Sequence, residues 1–384
     1  MKNSISVSVK TIAFFLITVF TIGCFSPSSQ AKPKPSPDKQ KIMLALLLDT
    51  SNSMDGLIDQ AKSQLWTIVN ELAAAKCGNG TRPEIQIALF EYGNDGLPQS
   101  EGYMRMVTDL TTDLDDISER LFGLSTNGGD EYCGYAIDKS IKKLNWSKSK
   151  ADLKMIFIAG NEPFSQGNVT YESACKLAKE HDIVVNTIFC GDYNEGIRTS
   201  WRHGATLTGG SYMSIEQNQK TVYVRTPYDD KIDQLNNDLN KTYIYYGSQG
   251  KSKKEKQMRQ DQNAESYSQA NKVKRAISKS SHAYKNSSWD LVDAYGDNEE
   301  VLETVEEEYL PEPMQEMDAD ERKAYVKKIT DERESIKNEI QKLSTQRKQY
   351  IVENKPTEAP ENTLDQAMVN AVKAVGKSKQ LIFE

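Results

Sequence analysis

Asp49-Thr50-Ser51-Asn52-Ser53 sets one carboxylate and two hydroxyls at alternate positions. Oxygen donors spaced this way on a loop can turn toward one point, and hard cations such as Mg²⁺, Ca²⁺ or Mn²⁺ take such ligands. Asp and Ser also end strands and cap helices, so the pentapeptide alone fits a cap better than a metal loop. Further oxygen donors stand at Thr126, Asp130 and Glu131 in a glycine-bearing stretch, and at Asn161 and Glu162. Pro163 biases Glu162 toward extended backbone. Catalytic readings find little support. His181, His203 and His282 stand beside no Ser or Cys in an elbow motif, and neither HExxH nor a phosphate loop occurs. Acid pairs are frequent, but they fall in charged helical stretches that are ordinarily solvated.

The elements that must position these groups alternate strand and helix. Ile42–Leu48 is a continuous apolar run, as expected of a strand buried on both faces. Ile58, Ala61, Leu65, Ile68, Val69 and Leu72 then recur at helical spacing. Strands are expected over 85–92, 103–108, 155–159, 183–189 and 212–215, with helices over 114–121, 132–144 and 171–180 and another through Trp201. Such alternation implies an α/β, Rossmann-like doubly wound sheet, mostly parallel, with helices on both faces. The neighbouring strands 85–92 and 103–108 would supply an antiparallel edge. The loop after the first strand lies where open α/β sheets bind ligands.

D-x-S-x-S after strand one, Thr126-Asn127-Gly128-Gly129 before a helix, an apolar strand ending in a glycine turn, and Thr208-Gly209-Gly210 before a short strand resemble the von Willebrand factor A domain over about 41–215. The resemblance implies a metal-ion-dependent adhesion site, in which a partner's oxygen, usually a carboxylate, completes the coordination. Asp49, Ser51 and Ser53 match its first motif. Its third-loop threonine falls on Glu131 and its fourth-loop aspartate on Ala159, so anionic charge has moved from loop four to loop three. The metal set carried forward is Asp49, Ser51, Ser53 and Glu131, with Asp130 and Glu162 as further candidates. The alternative is a degenerate site without metal. A glutamate in place of a hydroxyl implies weaker attraction for an acidic ligand, favouring a neutral or basic one.

Lys2 and Lys10 ahead of the apolar run 11–23 read as an export signal. Two processing routes stay open: cleavage after Ala31, or lipidation of Cys24 behind Gly23. The expected location is the periplasm or a lipoprotein of the outer membrane and cell envelope. Residues 32–40, rich in Pro and Lys, read as a tether. Of the remaining cysteines, Cys133 and Cys190 fall near one sheet edge, and both a disulfide there and buried free thiols are open. Lysines and arginines (48) are outnumbered by acids (55), which excludes the basic footprint of a nucleic-acid binder. The low mean hydropathy of −0.64 points to solvated helix or linker somewhere in the chain.

That part is expected from about Thr226, where the 41–225 domain gives way to a helical region, 226–384. Ile232, Leu235 and Leu239 mark one helix. Lys251–Lys279 reads as solvated helix or disorder. Asp318 with Glu321 forms a capping box for a long helix. On it Ile329, Ile336, Leu343 and Tyr350 repeat every seven residues, interrupted by Arg333 and Arg347. This is a partly coiled-coil seam for one neighbour helix. Trp289, alone among polar residues, is expected to anchor this region. Three functional readings follow: a non-enzymatic envelope adhesion module for a protein partner, a periplasmic scaffold oligomerising through its C-terminal helices, or an accessory subunit of an enzyme system.

Overall fold

The computed structural model describes residues 39–216, 218, 223–354 and 363–383. The export signal with Cys24, and most of the tether, lie outside the described residues. Strand β1 (Lys41–Asp49) leads to α1 (Asp55–Ala73), the two-residue β2 (Lys76–Cys77) and β3 (Glu84–Tyr92). Then come β4 (Met104–Thr111), α2 (Leu114–Phe122), α3 (Cys133–Lys143), β5 (Leu153–Gly160), α4 (Tyr171–Glu180), β6 (Val184–Cys190), α5 (Tyr193–Arg198), α6 (Trp201–Thr208) and β7 (Tyr212–Ile215). The sheet has six strands in the order β4-β3-β1-β5-β6-β7. All neighbours run parallel except β4, which pairs antiparallel with β3 at the edge.

Strand β1 explains the layering. Its side chains alternate faces. Ile42, Leu44, Leu46 and Leu48 enter one core with α1, and Ala45 and Leu47 enter a second core with α3, α4 and α6. Because β3 and β5 lie on opposite sides of β1 in the sheet, the chain reverses direction at β1. The loop after Asp49 therefore opens at the topological switch point, where the crevice for a ligand forms.

The C-terminal helices form a further layer on the α1 side. They are α7 (Asp229–Lys241), α8 (Gly250–Tyr267), α9 (Gln269–Ser280), α10 (Leu291–Asp297), the short α11 (Val301–Thr304) and α12 (Glu312–Gln315), α13 (Ala319–Glu353) and α14 (Leu364–Gly376). Residues 381–382 form β8, which pairs with β2. Ile232, Leu239, Val273, Tyr243, Trp289, Ile340, Met368 and Val372 share one core with α1 and the sheet. Trp289 packs beside Tyr243, ring centroids 5.8 Å apart.

Over 251–267 the expected solvated helix is found as α8, whose residues are mostly exposed or half-buried. The departure is α9, which buries charged residues because their partners are buried beside them. Arg275 donates to Asp115 at 2.8 Å, lies over the Trp66 ring, and also contacts Asp261. Lys279 reaches Asp261 at 2.8 Å. The capping box of α13 is formed, with Glu321 N donating to Asp318 and Asp318 N to Glu321. The seam of α13 meets α7, α9 and α10 of its own chain. The arginines interrupting that seam are buried, Arg333 against Asp290 and Asp293 and Arg347 against Asp229. Cys77, Cys133, Cys175 and Cys190 are all free and buried, so the Cys133–Cys190 disulfide is not formed. No helix among the described residues is long and apolar enough to cross a membrane.

Candidate functional site

Asp49 ends β1 opposite Tyr92 of β3, and its neighbour Leu48 is opposite Ala159 of β5. The carboxylate is thereby set between Gly93, which follows β3, and Gly160, the last residue of β5. A Cβ on Gly93 would meet Asp49 Oδ1 at 2.7 Å, and one on Gly160 would meet Asp49 Oδ2 at 3.1 Å and the Tyr92 hydroxyl at 2.5 Å. Gly93 also has φ +76°, a conformation that favours glycine. Only hydrogen leaves room for the carboxylate at both positions. The Tyr92 hydroxyl donates to Ala159 O at 3.0 Å and forms the floor.

Backbone bonds stitch the overlying loops together. Thr50 N donates to Tyr92 O, Asn127 N to Thr50 O and Asp95 N to Gly128 O. Gly129 lies so close to Gly93 O that a Cβ would stand 2.7 Å from it. This close approach brings Glu131, just ahead of α3, over Asp49. Asp49 is 0% and Glu131 3% exposed. Asp49 Oδ1 accepts from Ser51 N at 2.8 Å. Ser51 Oγ and Ser53 Oγ are 3.2 Å apart, and Asn161 Nδ2 donates to Ser53 Oγ at 3.1 Å. Glu131 N donates to Gln166 Oε1 at 3.2 Å.

The remaining candidates lie at the rim. Asp130 is exposed and accepts from the Tyr132 hydroxyl at 3.0 Å. Glu162 is exposed and accepts from Gln166 Nε2 at 3.2 Å, while its carbonyl accepts from Trp201 Nε1 at 2.8 Å. Thr126 donates to Asp55. Asp49, Ser51, Ser53 and Glu131 are thus brought together, with Asn161 joining them and the Glu162 backbone meeting Glu131, whereas Asp130 and Thr126 stand apart. Gly93, Tyr92 and Gln166 carry no motif of their own. Their parts emerge only from strand register and loop packing.

The electrostatics are those of two crowded acids. Burial raises Asp49 well above the usual carboxylate range, and the adjacent Glu131 carboxyl raises it further. Burial likewise raises Glu131. One oxygen of each, Asp49 Oδ2 and Glu131 Oε2, is buried with no hydrogen-bond partner. Such a pair cannot hold two negative charges without a proton or a cation between them. Two carboxylates, two hydroxyls and an amide oxygen form a hard donor set that fits Mg²⁺, Mn²⁺ or Ca²⁺. The fit relies on neutral oxygens beside the two acids. Among the described residues, no three His, Cys, Asp or Glu side chains gather in a metal-holding group.

The sequence of residues 44–198 matches the family model described as von Willebrand factor type A domain. Similar solved structures include the conserved hypothetical protein BatB from Bacteroides thetaiotaomicron, at 15% identity and TM-score 0.35, covering 45% of this chain and 90% of that one. Another is an aerotolerance-related membrane protein from Bacteroides fragilis, at 15% identity and TM-score 0.32, covering 46% of this chain and 93% of that one. A third is the pilus adhesin SpaC from Lactobacillus rhamnosus GG, at 14% identity and TM-score 0.35, covering 47% of this chain and 28% of that one. No curated protein matches the chain. Motif, strand order and family model agree over one segment: residues 44–198 of this chain are a von Willebrand factor type A domain.

Proposed function

We propose that this chain is an exported, non-enzymatic binding module of the cell envelope, which holds a protein partner at the loops around Asp49 with help from a divalent cation. The observation that carries the reading is the pair of buried carboxylate oxygens, Asp49 Oδ2 and Glu131 Oε2, with no hydrogen-bond partner. They lie at the switch point of the sheet, and among the described residues no strand side chain besides Asp49 has a buried polar atom without a partner. Asp49 and Glu131 would hold the cation, with Ser51, Ser53 and Asn161 supplying neutral oxygens. When bound, the cation supplies an electrophilic centre for an oxygen of the partner. Gly93 and Gly160 keep the cradle open, and Gln166 orients the Glu131 backbone.

Catalysis is disfavoured by the same chemistry. Burial pushes the Cys133 and Cys190 thiols nearest this site well above their usual range, so neither is a thiolate nucleophile at neutral pH. Oligomerisation through α13 is also disfavoured, because its apolar row and its arginines are used within the chain.

Calorimetric titration of the protein with Mg²⁺, Mn²⁺ and Ca²⁺ tests the metal reading. Saturable binding is expected in the natural protein and its loss in Asp49→Ala. A natural protein that binds none of the three, or an Asp49→Ala variant that binds as well, refutes the metal half.

A further inference from the structure

Around the buried pair, four loops form one continuous surface, joined by the Asn127–Thr50 and Asp95–Gly128 backbone bonds, the Thr126–Asp55 contact and the Glu131–Gln166–Glu162 chain. Their segments, 50–55, 93–103, 123–132 and 161–170, contain no lysine, arginine or histidine. Asp55, Asp95, Asp130 and Glu162 on this surface are exposed and form no ion pair among the described residues. Glu101, which also belongs to these loops, is neutralised by Lys139 at 3.7 Å, and on α5 Glu195 is paired with Arg198. Four unpaired acids, with no base in the same loops, therefore stand over the site.

Aromatic rings stand among them. Tyr132, whose hydroxyl donates to Asp130, packs edge-on against Tyr103 with ring centroids 5.8 Å apart. Carboxylates interleaved with half-exposed rings suit a guanidinium or ammonium group, which gains charge pairing and cation–π contact together. The second observation lies beneath. Asp49 Oδ2 and Glu131 Oε2, buried and unpartnered, lie beneath this surface. One divalent cation can balance the two buried carboxylates, which leaves the four rim acids uncompensated.

We infer that the partner presents a basic segment, an arginine- or lysine-bearing stretch of protein, to this loop face. The inference rests on the proposed binding role of the same face but not on metal. A partner carboxylate approaching the site would pass four unpaired acids, whereas a basic side chain is steered inward by them.

Fluorescence anisotropy of labelled oligo-arginine and oligo-glutamate peptides, each measured with Mg²⁺ and with chelator, tests this. Two triple variants accompany the natural protein: Asp95→Asn/Asp130→Asn/Glu162→Gln on the loop face, and Glu303→Gln/Glu306→Gln/Glu308→Gln on the exposed acidic run of the helical layer. Both remove the same charge. Oligo-arginine is expected to bind saturably, about tenfold or more weakly in the first variant and unchanged in the second. Equal weakening in both variants would assign binding to net charge and overturn the inference. So would preferential binding of oligo-glutamate, or no oligo-arginine binding at all. Failure of the metal titration leaves these outcomes readable in the chelator arm, so the two readings fail separately.

Discussion

Asp49 and Glu131 share a cradle with too little solvent for two charges, and this has a measurable consequence even without a partner. Burial and the neighbouring carboxyl raise Asp49, and burial raises Glu131, so the folded state holds protons that the unfolded chain releases. That contribution to stability is fully present below the usual carboxylate range. It is lost as pH climbs through the raised values. Glu131→Gln removes one charge from the pair, so in chelator at neutral pH its Tm should rise by about 2–4 °C. The gain should vanish near pH 4, and saturating Mg²⁺ should reverse the order by stabilising the natural protein more. A variant melting below the natural protein in chelator would show that the pair is not repulsive. Gly160→Ala should abolish metal binding, since its methyl group would press on the Tyr92 hydroxyl and Asp49 Oδ2; unchanged affinity by calorimetry would contradict the cradle.

At the scale of elements, the charged helices have the sharper chemistry. Arg333 on α13 is buried, lies over the Tyr243 ring at 4.4 Å, and contacts Asp290, Asp293 and Thr242. Removing one partner of a buried ion pair leaves the other uncompensated, at a cost of about 3–5 kcal/mol. Arg333→Ala should therefore unfold at markedly lower denaturant concentration, whereas Lys327→Ala, on an exposed turn of the same helix, should change little. A small change for Arg333→Ala would mean that the pair is readily hydrated. Burial alone would raise Asp261, but Lys279 and Arg275 outweigh it and hold the carboxyl well below its usual range. Its stabilisation is present above the usual carboxylate range and is lost as pH falls toward the depressed value. Asp261→Asn should accordingly flatten the acid limb of a stability–pH curve.

The same elements mark where sequence reading succeeds and where it stops. Apolar runs such as Ile42–Leu48 reveal buried strands because every residue there is apolar. The capping box at Asp318 and Glu321 is local and equally legible. Helix α9 is not. Arg275 and Lys279 look like solvent residues because their partners Asp115 and Asp261 lie 160 and 18 residues away. At the site, Asp49, Ser51 and Ser53 announce themselves by spacing. The roles of Gly93 and Tyr92 depend on the register between β1 and β3, which no local pattern encodes.

For the whole molecule, the decisive feature is that α1 is buried on two sides. Its apolar side meets the sheet. Its polar side holds the later helices: Gln60 and Gln64 accept from Leu364 N and Asp365 N at the start of α14, and Asn70 Nδ2 donates to Lys274 O. A chain truncated near Thr226 would expose the side of α1 that Val273, Met368 and Val372 now cover. It should elute in size-exclusion chromatography as aggregate, while the longer chain elutes as a compact species. A well-behaved truncated monomer would show that the helical layer is dispensable for folding.

The route of α14 bears on biosynthesis. The sheet is complete by Ile215, yet part of its cover arrives only with residues 364–376, after α13. Synthesis proceeds from the N-terminus at roughly 5–20 residues per second, so the finished sheet waits on the order of ten seconds for its last helix. During that interval Leu46, Leu48, Phe157 and Ile188, which line the space beneath α14, lack their final neighbour. Until α14 is made, that face of the sheet stays without the side chains of Leu364 and Met368 that complete its cover.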